Sequence, residues 1–89
     1  MEVYDAIKSA MLKQKETNSF YAVERIDDDW RVCVWRFDLD YKVELVRGNF
    51  AVKVLDFDYD DVGPYVEMWD YLIEDIAGQF KESMDNSNS

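Results

Sequence analysis

Carboxylates are the side chains of this sequence that are numerous enough, and close enough together, to carry a function. The chain has 89 residues, of which 20 are acidic and 10 basic, so its formal net charge is −10. Residues 1–53 hold ten acidic and nine basic side chains, whereas residues 54–80 hold eight acidic side chains and no base. Those eight are Asp56, Asp58, Asp60, Asp61, Glu67, Asp70, Glu74 and Asp75. Such crowded like charges oppose folding, which favours a role in binding a basic surface.

The side chains that most enzymes use are scarce. The sequence has no histidine, which is the commonest general base and metal ligand, so a Cys–His pair is excluded. It has a single cysteine, Cys33, so an intrachain disulfide is excluded as well. Gly48, Gly63 and Gly78 stand too far apart for a phosphate-binding loop. We therefore expect a binding protein that is not an enzyme and that has no cofactor and no resident metal.

Two rows of acidic residues have a spacing that resembles the phosphates of DNA. The rows consist of Glu67, Asp70 and Glu74 in a predicted helix and of Asp56, Asp58 and Asp60 in an extended segment. Neighbours are roughly 5–6 Å apart along the helix axis and about 6.7 Å apart along the extended chain. One strand of duplex DNA advances ~3.4 Å per phosphate, so each row can meet a basic groove at about every second phosphate position.

The first hypothesis is a stoichiometric inhibitor that mimics DNA. We expect the partner to be a protein with a basic, nucleic-acid-binding surface, and we expect no direct binding to nucleic acid or to membranes. A phage protein directed against CRISPR or restriction enzymes has this character. The candidate contact residues are the eight acidic residues of 54–80 together with Tyr71, which lies beside Asp70 and off the apolar side of the predicted helix.

Two other binding roles remain open. An immunity protein or antitoxin that covers a basic toxin nuclease needs the same negative surface. An accessory or oligomerising protein would instead use an aromatic face of the predicted sheet. The sequence leaves open whether the chain is a monomer or a homodimer.

A calcium loop is a weaker interpretation of the same segment. Asp56, Asp58, Asp60 and Glu67 match positions 1, 3, 5 and 12 of the EF-hand pattern. Position 6, however, is Asp61 where the pattern needs glycine, and the preceding residues resemble a strand and not a helix. Such matches arise easily in an acidic segment.

A metal-dependent nuclease is weaker still. Asp29, followed by Asp40 and Lys42, fits a loose nuclease spacing of an acid and then an acid-x-Lys on a neighbouring strand. The surrounding negative charge would repel a phosphodiester substrate, and the aspartates are adequately explained as turn residues.

Periodicity predicts one α+β domain over residues 1–82, followed by a polar tail over residues 83–89. Apolar residues at helical spacing predict a helix over residues 2–16, and a second apolar stripe predicts an amphipathic helix that begins near Pro64. The predicted strands cover residues 20–26, 30–37, 41–47 and 50–57. Joints of two or three residues allow only an antiparallel meander, with both helices on one sheet face. The absence of a basic, apolar leader predicts a cytoplasmic location.

The second and fourth strands leave open which side chains face the core. Trp30 and Trp35 are an odd number of residues apart in one strand, so their side chains point to opposite faces of the sheet. Either the sheet is covered on both faces or one face shows a Trp/Phe patch. We expect these aromatics, like Cys33, mostly to fill the core. In the fourth strand, an inward face made of residues 50, 52 and 54 would also turn residues 56 and 58 inward, unless a bulge or a strand end intervenes.

Crowding among the acidic residues also predicts a pH dependence. Carboxylates surrounded by like charges should have a pKa above the usual range. Mild acidification would then stabilise the folded state.

Overall fold

A computed structural model describes residues 1–37, 40–58, 66 and 69–87. It has an N-terminal helix, one open antiparallel sheet and a C-terminal helix, which confirms the expected α+β arrangement. In chain order the elements are α1 (Val3–Thr17), β1 (Tyr21–Arg25), β2 (Trp30–Phe37), β3 (Asp40–Arg47), β4 (Phe50–Asp58) and α2 (Asp70–Ser87). The strand order β1-β2-β3-β4 is that of a meander, with β1 and β4 at the edges. In the part of the chain described, no helix combines the length and the apolar character needed to cross a membrane.

The strands are joined by turns whose residues satisfy the backbone locally. After β1, the carboxylate of Asp27 accepts the backbone N–H groups of Asp29 and Trp30, at 2.8 and 2.9 Å. Both hydrogen bonds lower the pKa of Asp27, and the one from the backbone N–H of Asp29 has the larger effect. Between β3 and β4, Gly48 has φ of +60° whereas Asn49 does not adopt a positive φ. The positive φ of this two-residue joint thus falls on glycine, which adopts it without a steric penalty.

Both helices pack on the same face of the sheet, as predicted. Helix α1 lies over β1 and β2, and α2 packs beside α1 and reaches β4. The core between the layers includes Ile7, Met11, Val32, Val34, Val43, Leu45, Ile73 and Phe80. Polar contacts also fix α1: Gln14 Nε2 donates to the backbone carbonyl oxygen of Val34 at 2.9 Å, and Glu24 accepts from the Ser9 hydroxyl at 3.2 Å. Glu24 also forms an ion pair with Lys13.

The apolar stripe of the last helix is confirmed, but the helix bounds differ from the prediction. The stripe residues Trp69, Ile73, Ile76 and Phe80 are buried. Helix α2 begins at Asp70, while residues 59–65, including Pro64, lie outside the described residues.

The helix continues to Ser87, so residues 83–87 of the expected polar tail are helical. No glycine or proline interrupts this stretch, and Met84, four residues beyond Phe80, packs against the core. A polar composition alone therefore did not mark the end of the helix.

In strand β4 the face that begins at residue 50 does not continue inward to residues 56 and 58. Leu55 and Phe57 pack against the core, so the aspartates at 56 and 58 lie on the face that the helices do not cover. Phe50, Val52 and Val54 are all exposed. The conflict between apolar and acidic residues thus disappears, because the inward positions beyond Val52 are the odd-numbered ones.

A register shift in β4 accompanies this arrangement. Leu45 pairs with Lys53, but the next residue, Val46, pairs with Ala51, so Val52 is an extra residue in β4. This bulge changes the parity of the strand once and is one of the two solutions expected from the sequence.

The facing of β4 predicts unequal costs of truncation. Phe57→Ala should lower the free energy of unfolding by about 2–4 kcal/mol, because it removes ring contacts with the core, whereas Val54→Ala should cost less than about 1 kcal/mol. Urea unfolding followed by circular dichroism measures both values. A larger cost for Val54→Ala than for Phe57→Ala would mean that the facing is assigned wrongly.

Candidate protein-binding surfaces

The acidic segment is divided between two sides of the protein. Asp56 and Asp58 lie on the face of the sheet opposite the helices, whereas Asp70, Glu74 and Asp75 lie on α2. The other three candidates, Asp60, Asp61 and Glu67, lie outside the described residues. The five described acidic residues therefore do not form one continuous ridge.

Asp70 connects the two helices. Its Oδ1 accepts a hydrogen bond from the ammonium of Lys8 at 3.0 Å and another from the hydroxyl of Tyr4. Lys8 Nζ also lies 3.4 Å from the Tyr4 hydroxyl oxygen. Because Tyr4 and Lys8 are one turn apart on α1, this cluster fixes the first turn of α2 against α1.

The same contacts shift the pKa of all three groups. The Tyr4 hydroxyl and the Lys8 ammonium lower the pKa of Asp70, the tyrosine being the larger cause. The hydrogen bond to Asp70 is also the main reason that the pKa of Tyr4 and that of Lys8 are raised. For Asp70 the expectation of a raised carboxyl pKa is therefore wrong, because its nearest neighbours are donors and a cation.

The solvent side of α2 remains strongly acidic after Asp70 is set aside. Opposite the buried stripe lie Tyr71, Glu74, Asp75, Gly78, Glu82 and Asp85, all exposed, and together they are called the α2 outer face. Tyr71 is 90% exposed, which confirms the expectation that it is accessible. Gln79 donates a hydrogen bond to the carboxylate of Asp75 at 3.1 Å. Lys81 is the base at the border of this face.

The other surface is the sheet face that the helices leave uncovered, called here the open face. Tyr21, Trp35 and Phe37 form an aromatic row on it, with ring centroids 4.1 Å apart for Tyr21–Trp35 and 6.1 Å apart for Trp35–Phe37. Trp30 points the other way and is buried. The expectation that these aromatics mostly fill the core is wrong for Trp35 and Phe37, because strand parity places them opposite Trp30.

Cys33 lies beneath this aromatic row. It is buried, as expected, and its sulfur lies 3.5 Å from the Tyr21 hydroxyl oxygen, which donates to it. That hydrogen bond, followed by burial, raises the pKa of Tyr21 to about 12.

The acidic corner of the open face includes a base. In the sheet register Asp56 lies opposite Lys42, and Asp58 lies opposite Asp40. The Lys42 ammonium is 5.9 Å from the ring centroid of Phe37. These residues line an open depression of about 830 Å³ at the end of the sheet. Lys42 therefore reduces the negative charge at the two candidate residues of β4.

The described residues do not support the two metal-dependent interpretations. Asp56 and Asp58 belong to a paired strand and not to a loop after a helix, and the other two calcium candidates are not described. Asp29 and Asp40 flank opposite ends of β2, about 26 Å apart along the strand. Within the described ranges, no three acidic, histidine or cysteine residues form a group that could hold a metal ion.

Sequence reasoning missed part of each surface. Glu82 and Asp85 belong to the α2 outer face, but Asp85 had been assigned to the tail; the helical spacing of Met84 after Phe80 was the available signal. On the sheet, the opposite facing of Trp30 and Trp35 indicated an aromatic face. The part that was missed is Tyr21, which belongs to this face because it pairs with Trp35.

The comparisons with known proteins add no relative. No protein-family model, no curated protein and no solved structure matches this chain.

The Asp70 cluster predicts how stability depends on pH. A carboxyl whose pKa is lower in the folded state than in the unfolded chain stabilises above the unfolded pKa, and that contribution disappears as pH falls through the folded pKa. The pKa of Asp70 and that of Asp27 are both lowered in the folded state, so both carboxylates contribute stability in this way. We therefore expect the melting temperature to fall on acidification below about pH 4, the usual carboxyl range.

Asp70→Asn isolates the contribution of the cluster, and Glu74→Gln is the matched control on the same helix. The Asp70 variant should melt below the wild type at pH 7, and the difference should shrink as pH falls below about 4. A difference that stays constant with pH would contradict the role assigned to this carboxylate.

Proposed function

We propose that the protein is a non-enzymatic, stoichiometric inhibitor that occupies the basic, nucleic-acid-binding surface of another protein, through the α2 outer face. Action in the cytoplasm belongs to this proposal. The observation that carries it is the exposure of four carboxylates and of a nearly fully exposed tyrosine on one side of a helix. Exposed carboxylates attract a basic groove, and tyrosine is frequent among the residues that dominate binding energy.

The charge density of this face supports a client that normally holds nucleic acid. From Glu74 to Asp85 the helix rises about 16 Å and carries four carboxylates on its outer face. One DNA strand has about five phosphates over that length. A groove that neutralises a phosphate backbone therefore finds a similar charge on this helix.

Gly78 supports contact with a partner at the centre of the same face. Glycine in a helix interior costs about 1 kcal/mol relative to alanine. A Cβ added at Gly78 would meet no atom within 4 Å, so packing inside the protein does not require glycine there. Close approach of a partner's side chains to the helix backbone would explain this residue.

Charge reversal on α2 tests the proposal. The test variant is Glu74→Lys/Glu82→Lys, and the control is Glu2→Lys/Glu16→Lys, at the N-cap and in the last turn of α1, which changes the net charge equally, from −10 to −6. The client is first isolated by affinity capture on the wild-type protein and then titrated. We expect it to bind DNA or RNA and to lose that activity at one equivalent of inhibitor.

In that assay the α2 variant should bind the client at least about tenfold more weakly, and the control should stay within about threefold of the wild type. Binding should also weaken steeply with salt. A captured toxin nuclease would favour the immunity-protein alternative. A client with no affinity for nucleic acid, or equal loss in both variants, would contradict the proposal.

Gly78→Ala separates folding from binding at this face. The substitution should raise the free energy of unfolding by about 0.5–1 kcal/mol, because the helix is favoured and the added methyl group meets open space. It should weaken client binding, whereas Glu16→Ala on α1 should leave binding unchanged. Urea unfolding and the same titration measure the two effects, and unchanged binding by the stabilised variant would exclude close approach at Gly78.

A further inference from the structure

The open face carries apolar side chains that no described element covers. Tyr21 is 39% exposed, Phe37 50%, Val52 39% and Val54 43%, and all lie on one side of the molecule or its edge. An exposed apolar patch that spans a sheet is uncommon unless it is an interface. The surface therefore requires an occupant.

The charges on this face indicate what kind of occupant fits. Its basic residues are Arg25, Arg31 and Lys42, and its acidic residues are Asp40, Glu44, Asp56 and Asp58, a sum of −1. The whole chain has a net charge of −10. Among the described residues, most of the excess negative charge thus lies on other surfaces, and this face is not suited to a basic protein. A nearly neutral, apolar counterpart is needed, and the chain has one in its own open face.

We propose that the open face binds the open face of a second copy of this chain. The register defines two central rows across the sheet. Row A consists of Tyr21, Trp35, Lys42 and Asp56, and row B consists of Val23, Cys33, Glu44 and Val54. Consider a two-fold axis that lies between the two sheets, runs perpendicular to the strands and passes between row A and row B. Rotation about this axis places row A of each copy over row B of the other. The strands of the two sheets are then aligned to within about 30°, as in aligned sheet packing.

This symmetry produces complementary contacts. Lys42 of each copy meets Glu44 of the other, so the central charge pair forms twice. Trp35 covers the region of Cys33 in the second copy. The sheet end that carries Arg31 meets the end that carries Phe37 and Asp40. An isologous interface needs such a self-complementary pattern, and the separation of bases and acids toward opposite ends supplies it.

The area of the face sets the expected strength. Four strands spaced about 4.8 Å apart, over about eight residues each, present roughly 500 Å² per copy. The two copies together bury about 1,000 Å², which is near the lower limit for a specific interface. Repulsion between two acidic molecules opposes association, but ions at physiological strength screen it over about 8 Å. We therefore expect a dissociation constant on the order of 10 µM.

Sedimentation velocity at physiological ionic strength, from about 1 to 300 µM protein, measures the dimer. We expect a monomer–dimer equilibrium within that range. A monomer at every concentration would overturn the proposal, and so would capture of a different protein by this face of a strictly monomeric chain.

Charge exchange in row A and row B identifies the interface. Glu44→Lys should raise the dissociation constant at least about tenfold, because it places two lysines opposite each other, and Lys42→Glu should act alike by pairing two glutamates. The double variant Lys42→Glu/Glu44→Lys re-forms both pairs and should return to within about threefold of the wild type. Thermal melting of each variant verifies its fold. If Lys42→Glu unfolds, Glu44→Lys still tests the interface, because Glu44 lies in row B between Cys33 and Val54.

A dimer that is unaffected by Glu44→Lys, or that the double variant does not restore, would overturn the assigned face and symmetry. The test is independent of the proposed inhibitor function. Glu74→Lys/Glu82→Lys lies on the opposite side of the protein and should leave the dimer intact, so either proposal can fail without the other.

Discussion

The arrangement of this protein depends on one constraint: a single sheet has two faces, and both helices cover the same one. Every strand residue must therefore be either in the core or on the open face, and a shift of one position exchanges the two sets. Val34, Val43 and Leu55 occupy one row under the helices, while Trp35, Lys42 and Asp56 occupy the neighbouring row outside. The aromatic row and the position of the β4 carboxylates are direct consequences of this one-sided packing.

Among the described acidic residues of the C-terminal third, the one that contacts the first helix is compensated there, which makes its charge compatible with folding. Asp70 begins α2, where a carboxylate interacts favourably with the helix dipole, and it also accepts hydrogen bonds from Tyr4 and Lys8 of α1. The carboxylates further along α2 face solvent, where water and salt weaken their mutual repulsion. Charge therefore does not prevent the helix from packing, and it remains concentrated on the side away from the core.

The sequence predicted the elements more successfully than their partners. Helix α1, the meander and the stripe of α2 follow from periodicity and short joints, which are local properties. The sequence left the facing of β4 open because residues 50–57 carry apolar side chains at both parities, and only the bulge at Val52 and packing against Trp69 select Phe57 for the core. The contact of Asp70 with Lys8 spans 62 residues, so no local pattern announces it. Composition was enough to predict an acidic surface, but only the fold shows that the acidic residues are divided between the open face and α2.

The distribution of charge between the two surfaces is the strongest reason to assign them different partners. On α2 the exposed carboxylates of Glu74, Asp75, Glu82 and Asp85 stand against one bordering lysine, whereas acids and bases nearly balance on the open face. A basic client gains most on the first surface, where each contact joins opposite charges. An acidic chain can associate with itself only where its own charge is lowest, because elsewhere each approach brings carboxylates together. The open face meets this condition and also holds the exposed aromatic side chains, so apolar burial and the least repulsion coincide there. Since the helix layer separates the two surfaces, occupation of one leaves the other accessible.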